Sequence, residues 1–249
     1  MLKYWETNWK FEKGFETHRY QVIFNEVLTQ GTVEEQKKRP ERLSLVMFLE
    51  EKERNYFSDI CRFFRKNDEH FYFDNNKKFH TTLLGFPIVE PEYYEVITER
   101  INQFSLWEQP EMNVKFDMFR LGTKYQNKNT LNPISGVSNG TVIAFGDYPV
   151  NKELTTFGDT LSSFLAEDEY LNIALGKKFR RRFPSVWCTM GYYTTDFKIT
   201  NKLETLFSKY EDLKSHFFHI PCYQLELGTS HYKDLRDWKR IQNFSLRTN

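Results

Sequence analysis

No stretch of about 18 consecutive apolar residues occurs in the 249-residue sequence, which excludes a membrane-spanning helix. Glycine-rich phosphate loops, His-Glu-x-x-His and Cys-x-x-Cys are missing, so nucleoside triphosphate hydrolysis and zinc chemistry lack their usual motifs. Cysteine is scarce: Cys61, Cys188 and Cys222 form an odd set without metal-ligand spacing, the pattern of buried thiols in a reducing cytoplasm. There is no charge excess either, because 35 Lys and Arg face 34 Asp and Glu for a net +1. Whole-chain electrostatics therefore do not mark a nucleic-acid binder, and any anion site has to be local. The opening Met-Leu-Lys-Tyr-Trp-Glu-Thr-Asn lacks the charged-then-apolar layout of a secretory signal, so a cytoplasmic location is expected.

What the chain does have is core-forming material: 39% hydrophobic and 17% aromatic residues, far from a disordered composition. Its length suits one large domain or two small lobes. Residues 1–40 are polar and aromatic and end in a charged stretch, Gly31 to Pro40, that reads as a linker. We expect an N-terminal extension over 1–40 and a single bilobal domain over 41–249.

Alternation of Leu43, Leu45, Met47 and Leu49 predicts a mostly buried strand, and Tyr56, Phe57, Ile60, Phe63 and Phe64 recur at helical spacing after it. A strand through His80, a helix carrying Ile97 and Ile101, and a strand through Val114, Phe116 and Met118 continue the order βαβαβ. Residues 122–140 are turn-rich and long, either a flap over a site or a plain exposed insertion. The second half repeats the order, with a strand at 141–145, a helix with Phe157, Leu161, Phe164 and Leu165, a strand through Trp187, and a helix around 199–210. One long strand over 217–228 and a short one near Phe244 close the chain.

The chemistry concentrates in Phe79-His80-Thr81-Thr82-Leu83-Leu84-Gly85. Successive strand side chains point to opposite faces, so His80 and Thr82 emerge together, about 7 Å apart. A group that titrates near neutrality then stands beside a hydroxyl able to donate to a phosphoryl oxygen, half of a metal-free phosphodiester site. Pro184-Ser185-Val186-Trp187-Cys188-Thr189-Met190 repeats the pattern with tryptophan in place of histidine. An indole N–H donates and stacks but carries no usable proton.

With residues 41–247 laid out in this way, the chain resembles the two-histidine phosphoesterase superfamily, also described as 2′,5′-RNA ligase-like or cyclic phosphodiesterase-like. The resemblance rests on Phe79 to Leu83, on Pro184 to Met190 and on the closing Tyr223-Gln-Leu-Glu-Leu. It implies an α+β, bilobal fold with two antiparallel-rich sheets facing a central cleft and helices on the outside. It further implies metal-independent hydrolase action on 2′,3′-cyclic phosphates or 2′,5′ linkages of a nucleotide or RNA end, without cofactor, metal or membrane. In that scheme His80, Thr82 and Thr189 are catalytic, and Trp187 departs from the family's second histidine. Losing a positioned acid or base costs about 10²–10⁴ in rate, so a weakened phosphodiesterase, or a degenerate nucleotide or RNA binder using the same cleft, is expected.

Each residue also has a plainer reading. His80 can be a core histidine satisfied by a neighbour, and Trp187 can be core packing instead of a platform for a base. The run Lys177 to Arg182 can be a solvated face, or Arg180 and Arg182 can reach a phosphate. Tyr192 is either a phenolic donor to the cleft or a packed strand residue. His219 replaces the missing histidine only if its strand lies beside that of Trp187, and His231 follows in a turn.

Overall fold

Whether a strand's apolar residues alternate or run on decides which of its faces is covered, and that pattern organises this fold. The chain is described by a computed structural model covering residues 19–20, 40–67, 69, 71–73, 77–104, 112–116, 118–121, 141–146, 151–176, 179, 186–193, 197–198, 218–231 and 235–246. Its elements are β1 (Arg19–Tyr20), β2 (Arg42–Phe48), α1 (Glu51–Asn67), β3 (Phe71–Tyr72), β4 (His80–Gly85), α2 (Tyr93–Asn102), β5 (Met112–Phe116), β6 (Met118–Leu121), β7 (Thr141–Gly146), α3 (Lys152–Ala166), α4 (Glu169–Leu175), β8 (Val186–Tyr193), β9 (Phe197–Lys198), β10 (Phe218–Cys222), β11 (Gln224–Ser230) and β12 (Lys239–Ser245). The expected flap at 122–140 and helix at 199–210 lie outside the described residues, as does all of 1–39 except β1, which pairs with β9.

The fold is α+β and its paired strands are antiparallel. Strands β12-β11-β2-β4 form one side of the main sheet and β8-β7-β6 the other, with β3 on β8. A single registered pair, Thr81↔Cys188, joins the two sides, whereas β2 and β4 are matched from Ser44↔Gly85 to Phe48↔His80. Strands β5 and β10 make a separate two-stranded sheet.

Two segments expected to be single strands are each split. The Val114–Phe116–Met118 alternation spans β5, which pairs with β10, and β6, which pairs with β7. The closing segment breaks at Tyr223 into β10 and β11, again on different sheets. Alternation reports which face a residue occupies and not which strand it pairs with, so a chain that changes sheets keeps its period. Helix α4 was not anticipated either; Asp168 starts it, its Oδ1 accepting the Leu171 N–H at 3.0 Å, and Gly176 at φ 80° ends it.

Helices cover one face of the main sheet. Phe57, Ile60, Cys61 and Phe64 of α1 are buried, Phe57 packing on Phe79 and Phe116 and Phe64 on Phe71. The Cys61 thiol donates to the Met190 carbonyl of β8 at 3.2 Å, tying α1 to the second half. From α3, Leu154, Phe157, Leu161 and Leu165 join the same core as Leu83, Val186, Cys188 and Met190. Each such side chain contributes about 1.5–3 kcal/mol by leaving water. The helix-covered side thus holds much of the apolar core.

Asn151 clamps β5 to the start of α3. Its Oδ1 accepts the Lys115 N–H at 2.9 Å and its Nδ2 donates to the Lys115 carbonyl at 3.0 Å, as a neighbouring strand would. Gly146 lies against the same spot, where a Cβ would sit 1.8 Å from the Lys115 oxygen and 2.5 Å from Asn151 Nδ2. Urea denaturation should place Gly146→Ala and Asn151→Ala each about 1–3 kcal/mol below the parent, the first through overpacking and the second through orphaned backbone groups.

Candidate functional site

The bridge Thr81↔Cys188 fixes the phase of both motif strands. Thr81 and Cys188 point to the helix-covered side and are buried at 1% and 0% exposure. Their neighbours face the other way, His80 across from Thr189 and Thr82 across from Trp187. Thr82, Trp187 and Thr189 are half-buried and His80 is 8% exposed. The structure thus brings together the four motif residues picked from sequence, on one face of two adjacent strands. The Thr81 hydroxyl donates to the Trp187 carbonyl at 3.2 Å and reinforces this pairing.

His80 is oriented by its own strand. Its Nδ1 lies 2.7 Å from the Lys78 carbonyl. A carbonyl only accepts, so Nδ1 carries the proton and, in the neutral ring, Nε2 is the nitrogen able to take one. The ring stands edge-on to Phe48, with centroids 6.2 Å apart, and the exposed Lys78 ammonium lies 5.6 Å from the Phe48 centroid. A cation is therefore held over the same ring that packs on His80, which sequence reading passed over although Lys77-Lys78 directly precedes the motif.

Transverse rows extend the site. Register aligns Asn243, Glu226, Val46 and Thr82 across β12, β11, β2 and β4, and Trp187 and Phe145 continue the row across β8 and β7. At the β11 end Trp238 donates its Nε1–H to Glu226 Oε2 at 3.1 Å and stands edge-on to Phe48 at 5.5 Å. Neither Glu226 nor Trp238 was singled out from sequence. The available signal was parity, since Leu225 and Leu227 are buried and Glu226 between them must face the front.

The backbone of β8 is irregular ahead of Tyr192. The strand carries an extra residue between Thr189 and Gly191. Tyr192 is consequently matched to Thr141, in phase with Ile143 and Phe145. Its side chain, Arg180 and Arg182 lie outside the described residues. Of their basic run, Phe179 is described, stacked on Phe86 at 5.5 Å.

The other histidines stand elsewhere. His219 is on β10, matched to Lys115 of β5, whereas the strands paired with β8 are β3, β4 and β7, so the expected route for replacing the missing histidine fails. His231 follows Ser230, which pairs with Arg42 at the end of β2 opposite Phe48, about 20 Å along the strand from His80. There it is engaged by Asp237, Nδ1 to Oδ2 at 2.9 Å, and by Glu41 at 3.7 Å. On the helix-covered side, burial pushes the Cys188 thiol up to about 12, which keeps it protonated. Gly136-Val137-Ser138-Asn139-Gly140 spells Gly-x-Ser-x-Gly, a match that sequence reading passed over; it lies outside the described residues and leads into strand β7, whereas a nucleophile elbow leads into a helix. Among the described residues no cluster of three or more His, Cys, Asp or Glu is placed to hold a metal, and no helix is long and apolar enough to cross a membrane.

No family model matches the chain, and no curated protein matches it. Among solved structures it is similar to TT0787 of Thermus thermophilus, with 14% identity, a TM-score of 0.48, and coverage of 83% of this chain and 98% of that one. It is also similar to E. coli LigT complexed with phosphate, at 12% identity and TM-score 0.46, and to E. coli LigT complexed with 3′-AMP, at 11% and 0.46, covering in each case 85% of this chain and 100% of that chain.

The ion pairs around His231 give a measurable pH dependence. A hydrogen bond from Lys239 holds the Glu41 carboxyl below its usual 4.5, outweighing the upward push of partial burial and helped by Thr229 and the charges of Lys239 and His231. A lowered carboxylate contributes stability that is complete above its unfolded value and vanishes as pH falls through the folded one. Glu41→Gln should therefore melt below the parent at pH 7, with the gap closing as the pH drops beneath about 4.5; a gap independent of pH would contradict the assignment.

Proposed function

We propose that this protein is a metal-independent phosphoesterase-like protein with a single proton carrier, acting slowly on a cyclic nucleotide or RNA-end phosphodiester. The observation that supports this reading is the quartet His80, Thr82, Trp187 and Thr189 on one face of the β4–β8 pair. A phosphodiester is an anion that gains charge on its non-bridging oxygens as a nucleophile adds. Two hydroxyl donors on neighbouring strands suit that charge, and His80 supplies the acid–base group.

In the step this arrangement favours, a water oxygen bonds to phosphorus while His80 Nε2 takes the water's proton. The bond from phosphorus to one ribose oxygen breaks, and that oxygen is protonated by solvent. A second histidine would have given the leaving oxygen its proton in the same cleft, and Trp187 cannot. The rate should fall short of a two-histidine site by about 10²–10⁴. The indole favours a second reading, in which the same cleft retains a nucleotide or RNA end without turning it over, since a base stacked on an aromatic ring gains about 1–3 kcal/mol.

The residue assignments are tested together. Chelator-treated protein should hydrolyse 2′,3′-cyclic nucleotides or 2′,5′-linked oligonucleotides, His80→Ala should abolish turnover while leaving binding, and Thr82→Val with Thr189→Val should weaken binding. Saturable binding without turnover selects the retention reading. No binding of any phosphorylated nucleotide at millimolar concentration defeats both.

A further inference from the structure

Glu226 occupies a position that phosphodiester chemistry does not need. It stands in the same transverse row as Thr82, two strands away, which at the usual strand spacing is about 10 Å between backbones. That is the span from a phosphoryl group across a ribose to a base. Its carboxylate is oriented: Oε2 accepts from Trp238 Nε1–H at 3.1 Å, while Arg240 approaches Oε1 only to 4.0 Å and is itself 58% exposed. Tryptophan donates a hydrogen bond without neutralising charge, so the group remains an acceptor with lone pairs to spare.

An aromatic surface links this carboxylate to the proton carrier. Trp238 stands edge-on to Phe48, and Phe48 edge-on to His80. The indole is seated by Gly228, where a Cβ would come 2.6 Å from Trp238 Cζ2 and 2.5 Å from the Lys239 carbonyl. Only a bare Cα lets the ring lie this close to β11.

We infer that Glu226, positioned by Trp238, reads the base of the nucleotide whose phosphate sits at His80 and selects guanine. This rests on the phosphodiester reading above. Guanine presents two adjacent donors, N1–H and N2–H, to two carboxylate oxygens. Adenine and cytosine each place an acceptor nitrogen beside their amino group, and uracil flanks its single N–H with two carbonyls; all three set a lone pair against the carboxylate. Trp238 is a positioning residue, because it acts on the base through Glu226.

Calorimetric titration with 3′-GMP, 3′-AMP, 3′-CMP and 3′-UMP decides the matter. The parent should bind 3′-GMP tighter than the other three by about tenfold or more, and Glu226→Gln should erase that margin while leaving 3′-CMP and 3′-UMP within about twofold of the parent. Trp238→Phe keeps a ring and loses the donor, and should narrow the margin without erasing it. The readout is the ratio between bases, which a general loss of fold does not change selectively; if Glu226→Gln fails to fold, the parent's four affinities and Trp238→Phe still decide. Equal affinities in the parent, or a guanine margin that survives Glu226→Gln, overturn the inference and leave the phosphodiester reading standing. No binding of any of the four overturns both.

Discussion

One ladder pair, Thr81 with Cys188, holds the halves of this protein in phase. Because strand side chains alternate with a period of two, moving that pair by one residue would carry His80 and Thr82 away from Trp187 and Thr189. The pairing is protected where a slip would be costliest. The Thr81 hydroxyl bonds the Trp187 carbonyl, the Cys61 thiol bonds the Met190 carbonyl, and Cys188 has no exposed surface. A shifted register would bring polar atoms into a core packed by α1 and α3. The site's geometry is thus secured from behind, by residues that take no part in its chemistry.

Much of this was visible in the residue order. Strands β2 and β4, helix α1, and the shared face of His80 and Thr82 follow from spacing alone, since periodicity records which side of an element is covered. Partnership between strands leaves no such trace. Val114 to Met118 and Phe218 to Leu227 keep their alternation while the chain crosses from one sheet to another. Bulges hide in the same way: an extra residue at Leu83 and another at Met190 change which residues stand side by side without disturbing the local apolar pattern. Glu226 and Trp238 are brought to the row of Thr82 by long-range pairing, which no local window contains.

The two motif strands are chemically unequal, and their surroundings share that asymmetry. On the β2–β11 side of His80 lie two aromatic rings and a carboxylate that Trp238 orients. On the β8 side stand an indole and a hydroxyl. Of the four motif residues only His80 can carry a proton, while the β8 side offers surface and hydrogen bonds, the division on which the proposed slow turnover rests.

The Lys78 carbonyl, in committing one ring nitrogen of His80, makes the imidazole a single-ended carrier. A proton that enters at Nε2 has to leave through the same atom, so the ring cannot pass it onward and reset in one motion. Loss of that proton from Nε2 returns the ring to the tautomer it started from. Under the proposed reading, a ligand that dwells over Nε2 would keep water from that atom and act as its own brake.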